Sequence, residues 1–141
     1  MRTVILAVLS TLLATPALAA DPIEGDWLVG VNKVNIAPCP SRPDRMCGLI
    51  TWMKNPNDKA GRPVRDQNNP DPALRNRPIV GIAFIRDFRA VRPGRWSGGT
   101  IYDPNSGKTY DSKVRINPDG TLKVEGCILV ICQAQVWRRP A

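Results

Sequence analysis

The side chains able to do chemistry in this chain are few, and most sit between residues 62 and 110. Asp66-Gln67-Asn68-Asn69-Pro70-Asp71 offers oxygens at alternating positions, a spacing that could suit calcium. Pro70 and Asp71 stand where a calcium loop wants its third oxygen ligand and its glycine, and no bidentate Glu follows six residues on, so no metal is expected. The plainer reading is that Asp and Asn fix turns through their own backbone, with Asp66 pairing with Arg62, Arg75 or Arg77 to hold the segment. A charged rim is also where ligand groups are read, which keeps Asp66, Asn69, Arg75 and Arg77 as candidate ligand contacts. Tyr102 and Tyr110 join them, either pairing across neighbouring strands, the favoured option, or pointing into a cavity. Gly107-Lys108-Thr109 has the tail of a phosphate loop, but Tyr102 stands where the upstream glycine is required and no helix follows. No cofactor is expected.

Several reaction classes are excluded outright. The chain of 141 residues contains no histidine, which removes Ser-His-Asp and Cys-His nucleophiles and every His-ligated metal site. A glycan-cleaving carboxylate pair would need two carboxyl groups about 5–9.5 Å apart, which no spacing here specifies, so no enzyme is expected. Twenty Lys and Arg oppose 12 Asp and Glu, for a formal charge of +8. Arg62, Arg65, Arg75, Arg77, Arg86, Arg89, Arg92 and Arg95 make one basic stretch whose default role is a solvated face. Its functional alternative is an anionic envelope partner, lipid headgroup or polysaccharide, since no nucleic-acid reading motif is present.

The first residues explain why the envelope is the place to look. Arg2, an apolar run from Val4 to Leu13, then Pro16 and Ala17-Leu18-Ala19 form a secretory signal, with cleavage expected after Ala19 or Ala20. The run is too short for a span of ~20 residues, and no other transmembrane segment is expected. The mature protein is then periplasmic or secreted, a single domain over residues 20–141, and a monomer. Export puts Cys39, Cys47, Cys127 and Cys132 in an oxidising compartment. Three connectivities are open, and the two short spacings favour local pairing. Between the last two cysteines lie Ile128-Leu129-Val130-Ile131, four consecutive aliphatics. They either fold into the end of the domain as core, the favoured reading, or form a hydrophobic tip for a membrane, a partner or a cavity portal.

Period-two patterns between turn signals predict antiparallel β structure. Tyr110, Ser112, Val114 and Ile116 face one way, Asn117-Pro118-Asp119-Gly120 turns the chain, and Leu122 and Val124 return inward. Asp103-Pro104-Asn105-Ser106-Gly107 predicts a second hairpin. Further strands are expected at Trp27 to Val31, Val34 to Ile36, Cys47 to Met53, Ile79 to Phe88 and Gln133 to Arg139. Ile79 to Ile85, apolar on both faces, reads as strand buried on two sides. About eight strands suit a small, closed, antiparallel barrel. Residues 54–78, rich in Pro, Asn, Asp and Gly, read as a long crossing loop with one helical turn near Pro72 to Asn76.

Gly25-Asp26-Trp27, Cys47-Gly48-Leu49-Ile50-Thr51-Trp52, Gly61-Arg62-Pro63 with Asp66, Asn69-Pro70, Arg77-Pro78, Trp96 to Pro104, Gly107 to Tyr110 and Gln135-Val136-Trp137-Arg138 resemble, in order, the exported bacterial family called domain of unknown function 2147. That resemblance implies a lipocalin-like barrel in a bacterial envelope, with no established reaction. Gly25-x-Trp27 is similar to the first-strand signature of lipocalins, in which an indole closes the base of the barrel beneath a basic residue from the last strand. Arg138, or Arg139 in the alternative register, is the matching cation, with Trp137 a structural neighbour. The leading expectation is a barrel that binds a small, partly apolar ligand. Its alternative is a filled barrel whose basic face recognises anionic envelope material.

Overall fold

The computed structural model describes residues 20–141, so the expected leader over residues 1–19 lies outside the described residues. Eight strands follow in chain order: β1 (Gly25–Val29), β2 (Asn32–Cys39), β3 (Arg42–Trp52), β4 (Ala83–Arg92), β5 (Arg95–Asp103), β6 (Lys108–Ile116), β7 (Leu122–Ile128) and β8 (Ile131–Trp137). Each pairs antiparallel with its sequence neighbour in a single sheet. The sheet curls until its two ends meet at one bridge, where Leu28 N–H donates to Arg138 O at 2.7 Å and Arg138 N–H to Leu28 O at 3.2 Å.

Alternation sets the inside. Val34 and Ile36, Val114, and Leu122 and Val124 are buried, while Asp111, Lys113 and Arg115 on the intervening positions of β6 are exposed. The β6–β7 turn forms as its residues require, with Gly120 at φ 79° and its N–H on Asn117 O. One strand departs from expectation: β4 begins at Ala83, not Ile79. Gly81, at φ 98°, breaks the run, its N–H bonding Ile50 O, and Ile79 and Ile82 reach the core from irregular backbone. Two-faced hydrophobicity here marks a segment wedged between sheet and loop.

Because the strands alternate in direction, the β1–β2, β3–β4, β5–β6 and β7–β8 connections all emerge at one end. The other end is sealed. Ile23 is fully buried there and accepts the Trp27 indole N–H at 2.8 Å, and the Trp96 indole donates to Asp21 at 3.2 Å. Arg139, not Arg138, lies over Trp27, its guanidinium 3.8 Å from the ring and bonded to the carbonyls of Pro22, Glu24 and Asp26. The expected Arg138 is displaced by parity. Trp137 points inward, so Arg138 points outward to solvent while its backbone makes the bridge, and Arg139 turns back over the base. Both disulfides pair locally, Cys39 with Cys47 and Cys127 with Cys132.

Candidate functional site

The sheet encloses a cavity of about 820 Å³ that opens between the four connections. Val34, Ile50, Ile101 and Val124 form buried wall, and Phe84 stacks on Trp137 with ring centroids 5.8 Å apart. Exposed amides of Gln67, Asn68, Asn105, Gln133 and Gln135 supply hydrogen-bonding groups on the same lining. The charged lining groups are Arg65, whose guanidinium holds Asn76 O at 2.7 Å, and Asp103, which caps its own turn through Asn105 and Ser106. Such a chamber suits a ligand with an apolar body and a polar end. Its volume lies within the range of small-molecule sites, which a barrel filled by side chains would not leave.

Four of the expected rim residues meet at this wall: Tyr102 lines it, and Asp66, Asn69 and Arg77 lie behind it. Asp66 is fully buried on the β3–β4 connection. Its Oδ1 accepts from the Tyr102 hydroxyl at 2.5 Å, and its Oδ2 from Asn69 Nδ2 at 2.8 Å and from Arg77 Nε and Nη2 at 3.0 and 2.8 Å. Burial by itself would push the Asp66 carboxyl up, but the bonds from Tyr102, Asn69 and Arg77 outweigh it and hold the group below the usual carboxylate range. Burial, then the bond to Asp66, pushes the Tyr102 hydroxyl up. Of the three arginines considered, Arg77 makes the pair. Arg62 bonds Asp58, and Arg75 donates to Asn69 O at 2.8 Å. Four hydrogen bonds converge on the carboxylate, so the cluster is a lock holding the connection against β5, where Tyr102 sits.

A second contact completes the lock. Asn68 Nδ2 donates to Pro104 O and Asn105 O, laying the connection on the β5–β6 turn. Gly107 makes room for it: at φ 69°, any Cβ there would overlap the Asn68 carbonyl. The phosphate-loop reading of Gly107, which the sequence itself rules out, is replaced by this docking role. Asp71, which stands where a calcium loop wants its glycine, caps a 3-10 turn at Pro72–Leu74. The sulfurs of Cys39 and Cys47 lie near Asp87, but both are spent in a disulfide and offer no thiolate.

Tyr102 and Tyr110 do not pair. Tyr102 lies opposite Thr109 and Tyr110 opposite Ile101, a one-residue offset that sends the two rings to opposite faces. Tyr110 lines only the cavity, while Tyr102 borders both the cavity and a smaller outer pocket of about 190 Å³ beside Arg77. The aliphatic segment is not core: Ile128, Leu129, Val130 and Ile131 are all exposed, with Ile128 and Ile131 on the cavity mouth. A turn of two residues joining β7 to β8 has no length with which to fold back. Phe84, Gln133 and Gln135 were absent from the expected site; strand parity pointed to the inner face, but not to which part of it stays unfilled.

Comparison with known proteins bears on the fold and the family. No curated protein matches the chain. A solved structure, protein HP1028 from the human pathogen Helicobacter pylori, described as belonging to the lipocalin family, is similar in fold with a TM-score of 0.69 at 22% identity. The match covers 87% of this chain and 85% of that one. The family model for an uncharacterized protein conserved in bacteria, DUF2147, matches residues 25–139, nearly all of the described chain. The chain belongs to the DUF2147 family.

Proposed function

We propose that this protein is an exported, non-enzymatic carrier whose curled sheet works as a closed barrel around one small, partly apolar ligand. The observation that carries the reading is the cavity of about 820 Å³, walled by aliphatic and aromatic side chains with an amide-bearing rim. Three features support it: the sealed base admits a ligand from one end only, the buried carboxylate of Asp66 is spent on Tyr102, Asn69 and Arg77, and the chain has no histidine. Two disulfides and the leader-like first nineteen residues agree with a periplasmic or secreted monomer. No helix among the described residues is long and apolar enough to cross a membrane. The alternative of a filled barrel acting only through its basic face is disfavoured by the cavity itself.

Native mass spectrometry of protein purified gently from its own envelope is the direct test, with a co-purified small molecule as the expected result. An apolar fluorescent dye should also bind, and Ile101→Trp, which places an indole in the chamber, should reduce that binding at least tenfold while the β-sheet circular dichroism is retained. Bare protein mass in repeated preparations, together with no dye binding, would overturn the reading.

A further inference from the structure

We propose that the open end of the sheet docks on an anionic lipid bilayer through the tip Ile128-Leu129-Val130-Ile131, bringing the cavity mouth to the membrane surface. The tip is the turn between β7 and β8, and its neck is tied by the Cys127–Cys132 disulfide. Leu129 and Val130 are 93% and 94% exposed, and Ile128 and Ile131 below them line the mouth. Folding does not ask for these residues. Leu129 sits at φ 53°, the left-handed region, where the first central residue of a two-residue hairpin turn is cheapest as glycine. The chain tolerates backbone strain and exposed apolar surface at one residue, and a lipid phase accounts for both.

The area involved selects the occupant. A stable protein interface needs about 800 Å² per partner, whereas four aliphatic side chains at roughly 100 Å² each offer about half of that. A second copy or a protein groove is therefore a poor fit. A bilayer demands depth instead of complementary area: interfacial elements sink about 5–10 Å, and a hairpin tip of two residues reaches roughly 7 Å. The rest of the rim is built alike. Trp52, the last residue of β3, is 48% exposed with the Lys33 ammonium 5.9 Å from its ring, and Val31 of the β1–β2 turn, two residues before Lys33, is exposed as well. An indole with a lysine beside it is the composition of a membrane-interface belt. Lys33 and Lys54 add positive charge at this end, while Asp58 and Asp103 are engaged by Arg62 and by their own turns.

Flotation of the purified protein with phosphatidylethanolamine–phosphatidylglycerol vesicles tests this. The protein should float, less so with phosphatidylcholine alone. Leu129→Gly with Val130→Ser should bind at least about tenfold more weakly while melting no lower than the parent, since glycine relieves the turn. Lys33→Glu with Lys54→Glu should lose only the preference for the anionic vesicles. Three results would overturn the proposal: a parent that floats with neither vesicle, a tip variant that floats like the parent, or a parent dimer that the tip variant dissolves. The outcome is separable from ligand carriage, because the tip variant should keep its dye binding and Ile101→Trp should keep its flotation.

Discussion

At Asp66 one carboxylate holds together three segments of chain, and the sign of its titration follows from its partners. Its folded value lies below the ordinary 3.8, so the stability it contributes is fully present above that value and is lost as pH falls through the lower folded one. Thermal unfolding measured between pH 6 and 2 should show a fall in Tm beginning below about pH 4, and Asp66→Asn should flatten the part due to this site. The same substitution removes the negative partner of Arg77 and should cost about 3 kcal/mol in urea unfolding at pH 7. At the base, Arg139→Ala should cost about 1–2 kcal/mol by removing the ring contact and carbonyl bonds. Arg138→Ala, which leaves its backbone bridge intact, should stay within about 0.5 kcal/mol, and equal losses in the two variants would contradict the assignment. Trp27 was legible from Gly25-x-Trp27, whereas its cation depended on which way residue 138 points, a parity set by the register of the last strand.

Elements were legible where turn chemistry and alternation agreed, as in the β6–β7 hairpin with Gly120 at its turn. They were misread where one cue stood alone. Ile79 to Ile82 carried apolar side chains without alternation, and Gly81 ended what hydrophobicity alone extended. The β3–β4 connection was recognisable as irregular from its Pro, Asn and Asp content, but its resting place was not, because Asn68 and Asp66 find their partners 36 residues away. Gly107→Ala tests that docking. The added methyl group overlaps the Asn68 carbonyl and the left-handed backbone disfavours it, so limited proteolysis should cut within residues 54–78 at least tenfold faster than in the parent. An unchanged rate would mean that the connection is held by the Asp66 cluster alone.

For the molecule as a whole, neighbouring strands pair throughout and the two edges of the sheet meet between Leu28 and Arg138. A chain ending at Val136 lacks Trp137, that bridge and the Arg139 cap, and should lose its cooperative thermal transition while keeping β-sheet dichroism. Retention of a sharp transition would show that the meander stands without its seam. The all-β class was readable because every strand meets its partner within a short stretch of sequence, so local patterns carry the topology. The size of the chamber was not readable, since it is the residue of packing among side chains from all eight strands and two connections. That seam also fixes an order of events. Made amino end first, the polypeptide can lay down strand after strand as each emerges, yet it remains an open gutter, greasy along its floor, until position 138 has followed.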